Sequence, residues 1–199
     1  MWQGGRVAVL CTALGMAWVG TGWMGTALAR TVEGHRYDEQ LSLEGRPLVL
    51  NGAGVRQVGW FKSFTVGLWV PARSDDAQRL LEQEGPKRLR MAPLIDKIDS
   101  DLLAKALYDG VAKRVAEADR DRMLAAMDLL ARQIRTLGTF RDTDVVDLDY
   151  TPAKGMLLRL NGQAKGEPIP GKELFTAILS IYIGEQPVDK KLKPALLGQ

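Results

Sequence analysis

The chain reads Leu-Asn-Gly-Ala-Gly-Val-Arg at residues 50–56 and Phe-Thr-Val-Gly-Leu-Trp-Val at residues 64–70, just before Pro71. In the second segment, apolar residues recur at every second position from Phe64 to Val70, which predicts a strand with one face against a core. In the first segment, small residues precede Arg56, so a nearly bare backbone carries one long cation to the edge of an apolar sheet. Arg56 is the strongest chemical signal in the sequence.

The first 29 of the 199 residues predict an export signal. Arg6 is the one charge among them, and a long uncharged run follows that ends in Ala27 and Ala29. Small residues at these two positions are what signal peptidase requires, so we expect cleavage after Ala29 and a periplasmic or secreted domain of residues 30–199. The run is also long enough to span a bilayer. A retained anchor is therefore the alternative, and we expect membrane association only in that case.

Composition limits the functions open to residues 30–199. The only cysteine, Cys11, lies in the leader, so the mature chain has neither disulfides nor a thiol nucleophile. The formal net charge of the whole chain is +3 and falls to about +2 when Arg6 is removed. With no dense basic run we expect no nucleic-acid partner. His35 is the only histidine, and we predict neither a metal nor a cofactor.

Strand and helix periodicities alternate along the mature chain. The predicted strands are Tyr37–Leu43, Arg46–Leu50 (a hairpin with the first), Phe64–Val70, Lys87–Ile95, and three more at 145–151, 155–160 and 163–169. The predicted helices are a short one capped by Ser74 and stopped by Gly85 and Pro86, two amphipathic helices within Asp99–Gly138, and an apolar helix at Lys172–Ile183. This order predicts an α+β domain with helices packed on one face of an antiparallel sheet.

Two sets of charged residues accompany the predicted strands. Arg88 and Arg90 alternate with apolar residues, and we interpret them as a solvated basic face. Four aspartates lie at positions 142, 144, 147 and 149. The glycine and the closing glutamate of a calcium loop are not at the required spacing, so we interpret these carboxylates as an acidic face in solvent.

Several segments carry a family resemblance. They are residues 50–56, residues 62–70, Gly85-Pro86-Lys87-Arg88, residues 101–110, and above all the closing Ile183-Gly184-Glu185-Gln186-Pro187-Val188-Asp189 with Leu192-Lys193 and Leu197-Gly198. These segments resemble the chalcone isomerase-like family, including its exported bacterial members, over nearly the whole mature chain. The resemblance implies an open-faced sandwich, in which a large antiparallel sheet carries helices on one face and an apolar ligand cleft lies between them.

The resemblance also implies site residues. In plant chalcone isomerases an arginine helps a phenolate attack an enone and stabilises the developing enolate, and Arg56 matches it. The threonine of the central strand, the tyrosine, the asparagine and the C-terminal threonine of those enzymes fall in turn on Phe64 (with Thr65 adjacent), Leu102, Asp109 and Ile181. Because the hydroxyls that orient the substrate are missing, stabilisation of that transition state should be severely reduced.

We therefore predict a protein that does not act on chalcone and binds a small apolar or fatty-acid-like ligand in a cleft near Arg56, as fatty-acid-binding members of the fold do. One alternative is an isomerase or intramolecular lyase with another enone-type substrate. Another is a structural or partner-binding protein whose cleft is filled. From the residues alone, a structural ion pair between Arg56 and a buried carboxylate is the commoner role. An open apolar pocket at Arg56 would favour binding.

Overall fold

A computed structural model describes residue 1 and residues 28–199. The predicted leader, residues 1–29, lies almost entirely outside the described residues. Within the described part of the chain, no helix is both long enough and apolar enough to cross a membrane. The strands are β1 Ala29–Val32, β2 His35–Asp38, β3 Gln40–Leu43, β4 Arg46–Val58, β5 Phe61–Val70, β6 Lys87–Pro93, β7 Ile98–Asp99, β8 Thr139–Phe140, β9 Val146–Thr151, β10 Gly155–Leu160 and β11 Gln163–Ile169. The helices are α1 Ala77–Glu82, α2 Ser100–Ala112, α3 Arg120–Arg135, α4 Glu173–Ile183 and α5 Leu192–Leu196.

The central sheet has seven antiparallel strands in the order β11-β10-β9-β6-β5-β4-β3. The predicted hairpin is confirmed: β3 pairs with β4 around Glu44 and Gly45, whose φ values of 50° and 76° suit a tight reversal. The predicted strand Tyr37–Leu43 is divided into β2 and β3, and β2 pairs with β1 in a separate hairpin. The α+β architecture is therefore the predicted one.

Helices α2, α3 and α4 pack on one face of this sheet over a single core. The stripe predicted on α3 is buried at Met123, Met127, Leu130 and Ile134. Helix α4 is buried on most sides, as its apolar sequence predicts, and one stripe with Thr176, Ala177 and Ser180 is partly exposed. On β5 the same core receives Val66, Leu68 and Val70.

The opposite face of β5 is also buried, which the alternating pattern did not predict. The β1–β2 hairpin lies over this face, where Tyr37 stacks on Trp69 with ring centroids 5.7 Å apart. Leu43, Leu48, Leu50 and Ala53 complete a second, smaller cluster. The two tightly packed faces fix β4 and β5 from both sides.

The interpretation of the charged residues as solvated faces is wrong for Arg88, Arg90, Asp147 and Asp149, whereas Asp142 is exposed. Asp147 and Asp149 are almost fully buried, with 1% and 2% exposed. They lie directly opposite Arg90 and Arg88 in the register of β9 and β6. Arg88 forms a bidentate pair with Asp149 at 2.6 and 2.7 Å, and Arg90 forms one with Asp147 at 2.7 and 2.9 Å. These residues form an ion-pair ladder on the face away from the helices.

The predicted cap of the first helix is wrong, and one short helix was not predicted. Helix α1 is capped by Asp76, whose carboxylate accepts from the backbone of Gln78 and Arg79, and not by the predicted Ser74. Ser74 instead accepts a hydrogen bond from the backbone N–H of Asp76 at 3.1 Å. Helix α5, which the sequence pattern did not predict, packs against β4 and β5.

Candidate functional site

An extra residue in β4 sets the direction of Arg56. Val49 packs on the helix side of the sheet and Leu50 on the other side. Leu50 lies opposite Trp69 and Gly52 opposite Leu68, so Asn51 is a β-bulge. The bulge reverses the alternation, so that Arg56 faces the helices. Unbroken alternation would have turned it to the opposite face.

Asn51 fixes this bulge with its own side chain. The amide Nδ2 donates to the carbonyl oxygens of Leu196 at 2.7 Å and of Ser74 at 3.0 Å. The amide Oδ1 accepts from the backbone N–H of Ser74 at 2.8 Å. Because Asn51 is buried, these bonds hold the strand, the loop before α1 and the C-terminal helix in one arrangement.

The small residues before Arg56 make room for α5. A β-carbon on Gly52 would overlap the carbonyl oxygen of Ala195, and one on Gly54 would lie 2.7 Å from Cβ of Ala195. The C-terminal segment is also held farther along β4, where the carboxylate of Asp189 accepts from the backbone N–H of Gln57 at 2.7 Å. The bare backbone therefore docks the C-terminal segment beside the arginine.

A second bulge brings Ser63 beside Arg56. Arg56 lies opposite Phe64 and Gln57 opposite Lys62, which leaves Ser63 as the extra residue of β5. Nη1 of Arg56 donates to Oγ of Ser63 at 3.2 Å, and this hydroxyl donates to the carbonyl oxygen of Arg56 at 3.1 Å. These two bonds orient the guanidinium.

The guanidinium lies at the wall of an open cleft of about 410 Å³. The cleft is bounded by β4, β5 and β6 on one side and by α2 and α4 on the other. Its walls are apolar except at Arg56, Ser63 and Tyr182, and they include Met91, Leu103, Ala106 and Leu107. A volume of this size lies in the range of small-molecule sites, about 300–1,000 Å³.

No carboxylate among the described residues pairs with Arg56, whereas Arg88, Arg90 and Arg159 each have an aspartate partner. The structural ion pair considered for Arg56 is therefore not found in residues 28–199. In the same part of the chain, no group of His, Cys, Asp and Glu side chains is placed to hold a metal ion.

Comparison with known proteins identifies the family. The model of the chalcone isomerase-like family matches residues 29–198. The chain belongs to the chalcone isomerase-like family. The fold is similar to that in the crystal structure of a fatty-acid binding protein of Arabidopsis thaliana, with a TM-score of 0.65, 17% sequence identity, and coverage of 83% of this chain and 92% of that chain. No curated protein sequence matches the chain significantly.

Four of the predicted site residues of this chalcone isomerase-like chain meet at the cleft: Arg56, Phe64, Leu102 and Ile181. The other two lie elsewhere. The hydroxyl of Thr65 is on the opposite face of the sheet, where it accepts from the hydroxyl of Tyr37 at 2.6 Å. This is the reversal that a one-residue offset from Phe64 produces.

Asp109 also lies outside the cleft. Its carboxylate pairs with Lys105 at 2.7 Å on the exposed side of α2. It faces a separate polar depression that Asp128 and Arg135 of α3 also line. Leu102, Leu103, Ala106 and Leu107 of α2 line the cleft. Asp109 lies two turns beyond Leu102 along the same side of the helix, and at that position it does not line the cleft.

Ser63 and Tyr182 are cleft residues that the sequence reasoning missed. Burial raises the pKa of Tyr182 to about 12, and the positive charge of Arg56 acts in the opposite direction. The phenol therefore stays protonated and donates to Sδ of Met91 at 3.4 Å, which is a weak acceptor. The sequence contained one signal for Tyr182. It lies on a helix predicted to be buried, and a buried phenol needs a hydrogen-bond partner.

Proposed function

We propose that this chalcone isomerase-like protein binds a small apolar ligand with an anionic group, such as a fatty acid, in the Arg56 cleft. The observation that carries the proposal is a guanidinium with no described carboxylate partner at the wall of an open apolar cleft. The same fold in a fatty-acid binding protein supports this ligand class. The open cleft does not support the alternative in which side chains fill it.

The polar groups of the cleft suit a carboxylate. The guanidinium uses one N–H on Ser63 and retains others that can donate to an anion. The hydroxyl of Tyr182 donates only to the thioether sulfur of Met91. A carboxylate oxygen is a stronger acceptor, so a hydrogen bond from this hydroxyl to the ligand is favourable. The hydrocarbon part of the ligand would lie against Phe64, Ile181 and the apolar side of α2. Its burial would contribute about 25 cal/mol per Å².

Substitution of Arg56 with Met tests the role of the charge. We expect the affinity for a fatty acid to fall by roughly 1.5–3 kcal/mol, the contribution of a charge-assisted hydrogen bond. The free energy of unfolding of the ligand-free protein should stay the same or rise, because Met retains most of the packing of the stem and removes a charge that the cleft otherwise solvates. Titration calorimetry and thermal unfolding, with and without ligand, measure the two quantities.

Arg46→Met is the matched control. Arg46 begins the same strand and is exposed, so its replacement should change neither affinity nor stability. If Arg56→Met instead costs roughly 3–5 kcal/mol of stability without ligand, the arginine belongs to a structural ion pair and the binding role is wrong.

The expected lack of activity toward chalcone can be tested directly. Phe64, Leu102 and Ile181 line the cleft at positions that resemble hydroxyl-bearing residues of the plant enzymes. We expect no cyclisation of chalcone above the spontaneous rate, since transition-state stabilisation needs those groups. Chiral chromatography of the product detects the reaction, and rapid, stereoselective flavanone formation would refute this expectation.

We further propose that the domain is exported and begins at Arg30. The support is the sequence alone, with small residues at positions 27 and 29 after an uncharged run. N-terminal sequencing of the protein from the periplasmic fraction should give Arg30. Recovery of intact Met1 in the membrane fraction would show a retained anchor.

A further inference from the structure

Exposed apolar side chains are concentrated at the mouth of the cleft. Nine large hydrophobic residues are exposed in the described part of the chain, and six of them lie here: Val58, Trp60, Phe61, Ile95, Leu102 and Val188. Four of the six also line the cleft, Trp60 lies in the turn between β4 and β5, and Phe61 begins β5. We call these six residues the rim. A concentration of this kind on a soluble domain marks an interaction surface.

The turn presents two aromatic rings to solvent. Val58 pairs with Phe61, so Gly59 and Trp60 form a two-residue turn, with φ of 60° at Gly59. The exposed fraction is 97% for Trp60 and 69% for Phe61. Since the long β4–β5 pairing holds this turn at the end of the sheet, the rings project as a small apolar knob beside the cleft.

We propose that the rim docks on the surface of a lipid bilayer, so that an apolar ligand passes between the bilayer and the cleft. The docking stands on the rim alone, whereas the passage of ligand rests on the function proposed above. Tryptophan and phenylalanine are favoured at the boundary between lipid headgroups and acyl chains. Because Val58, Ile95, Leu102 and Val188 belong to both the rim and the cleft, an acyl chain could enter without crossing water.

The charges around the rim are mixed. Exposed cations on the rim loops are Lys97 beside Ile95, and Lys190 and Lys191 beside Val188. Asp96 and Glu185 are exposed carboxylates on the same loops. Asp189 accepts from backbone N–H groups, including that of Gln57, and keeps its negative charge.

Other carboxylates near the rim are already paired. Glu33 pairs with Lys62 at 2.8 Å, and Asp101 pairs with Arg135 at 2.8 Å. Asp99 caps α2 by accepting from the backbone N–H of Asp101 at 2.9 Å. Asp99 keeps its negative charge, so the rim carries no excess of positive charge and the docking rests on its apolar side chains.

A lipid surface fits better than a second copy of the chain. A second copy seated on the rim would close the cleft that the proposed ligand enters. The rim is also distant from the start of the described chain. Glu33, at the tip of the β1–β2 hairpin, contacts Lys62 beside the rim, whereas Leu28 pairs with Glu39 at the other end of that hairpin. Membrane association through the rim does not depend on the leader. It therefore differs from the association that the sequence predicts, which requires a retained leader.

The test uses the exported protein and vesicles of equal parts phosphatidylglycerol and phosphatidylethanolamine. We expect the emission of Trp60 to shift to shorter wavelength on binding and to be quenched by brominated acyl chains. The double variant Trp60→Ser, Phe61→Ser should reduce the vesicle-bound fraction at least about tenfold, because it removes most of the apolar area of the knob. Leu129→Ser, at an exposed position of α3, is the matched control and should bind like the unchanged protein.

Three outcomes would overturn the proposal. They are absence of quenching in the unchanged protein, equal vesicle binding by the double variant, and loss in that variant of a dimer that sedimentation detects without lipid. The quenching result does not depend on whether the variant folds. Fatty-acid titration separates this proposal from the binding function: the double variant should keep its affinity in solution, whereas Arg56→Met should lose affinity and still bind vesicles.

Discussion

Replacing Asp149 with Ala should lower the free energy of unfolding by about 3–5 kcal/mol, the usual cost of removing one partner of a buried ion pair. Asp149 is 2% exposed and accepts from Arg88 through both oxygens and from Arg159 at 2.8 Å. The variant leaves Arg88, 15% exposed, without its main partner. Chemical denaturation followed by circular dichroism measures the loss, which is a large part of the roughly 5–15 kcal/mol that stabilises a typical domain.

Asp142→Ala is the matched control for this measurement. Asp142 precedes the same strand and is exposed, so its replacement should change the stability by less than about 0.5 kcal/mol. Similar losses for the two variants would contradict the structural role of the ladder. Loss of ligand affinity in Asp149→Ala without loss of stability would contradict it as well, since Asp149 lies on the face away from the cleft.

The ladder shows why part of the fold could be predicted and part could not. The stripes on α3 and α4 follow from local periodicity, since residues on one helix face recur within a few positions. Arg88 and Asp149 are 61 positions apart, and each lies in a segment that alternates like a strand with one solvated face. Their pairing depends on the order and register of β6 and β9. No local pattern contains that information.

The position of Arg56 in the cleft also could not be predicted from local sequence patterns. A strict period of two from Val49 would have placed Arg56 on the wrong face, and it was the family resemblance that associated this arginine with a cleft. The bulge at Asn51 places Arg56 there, and the bulge at Ser63 adds a hydroxyl. A bulge shifts register by one residue and has no strong sequence signature. Helix α5 is too short, at five residues with Pro194 inside it, to produce a helical period.

Gly52 and Gly54 of β4 can be tested by substitution with alanine. Gly52→Ala should lower the stability by about 2–3 kcal/mol, at the upper end of what overpacking costs, because the added methyl group meets the backbone of Ala195 and Leu196. Gly54→Ala should also destabilise the protein, but there the obstacle is the methyl group of Ala195, 2.7 Å away, with Cδ1 of the flexible Leu192 at 3.1 Å.

A second substitution, Ala195→Gly, separates these two cases. It removes the methyl group that meets Gly54→Ala but leaves the carbonyl oxygen that meets Gly52→Ala. In a double-mutant cycle measured by denaturation, we therefore expect a favourable coupling of at least about 0.5 kcal/mol with Gly54→Ala and none with Gly52→Ala. Ala195→Gly alone should cost about 0.5–1 kcal/mol in the helix. Equal rescue of both variants would show that α5 moves freely on β4. It would also mean that the C-terminal segment does not hold the strand that positions Arg56.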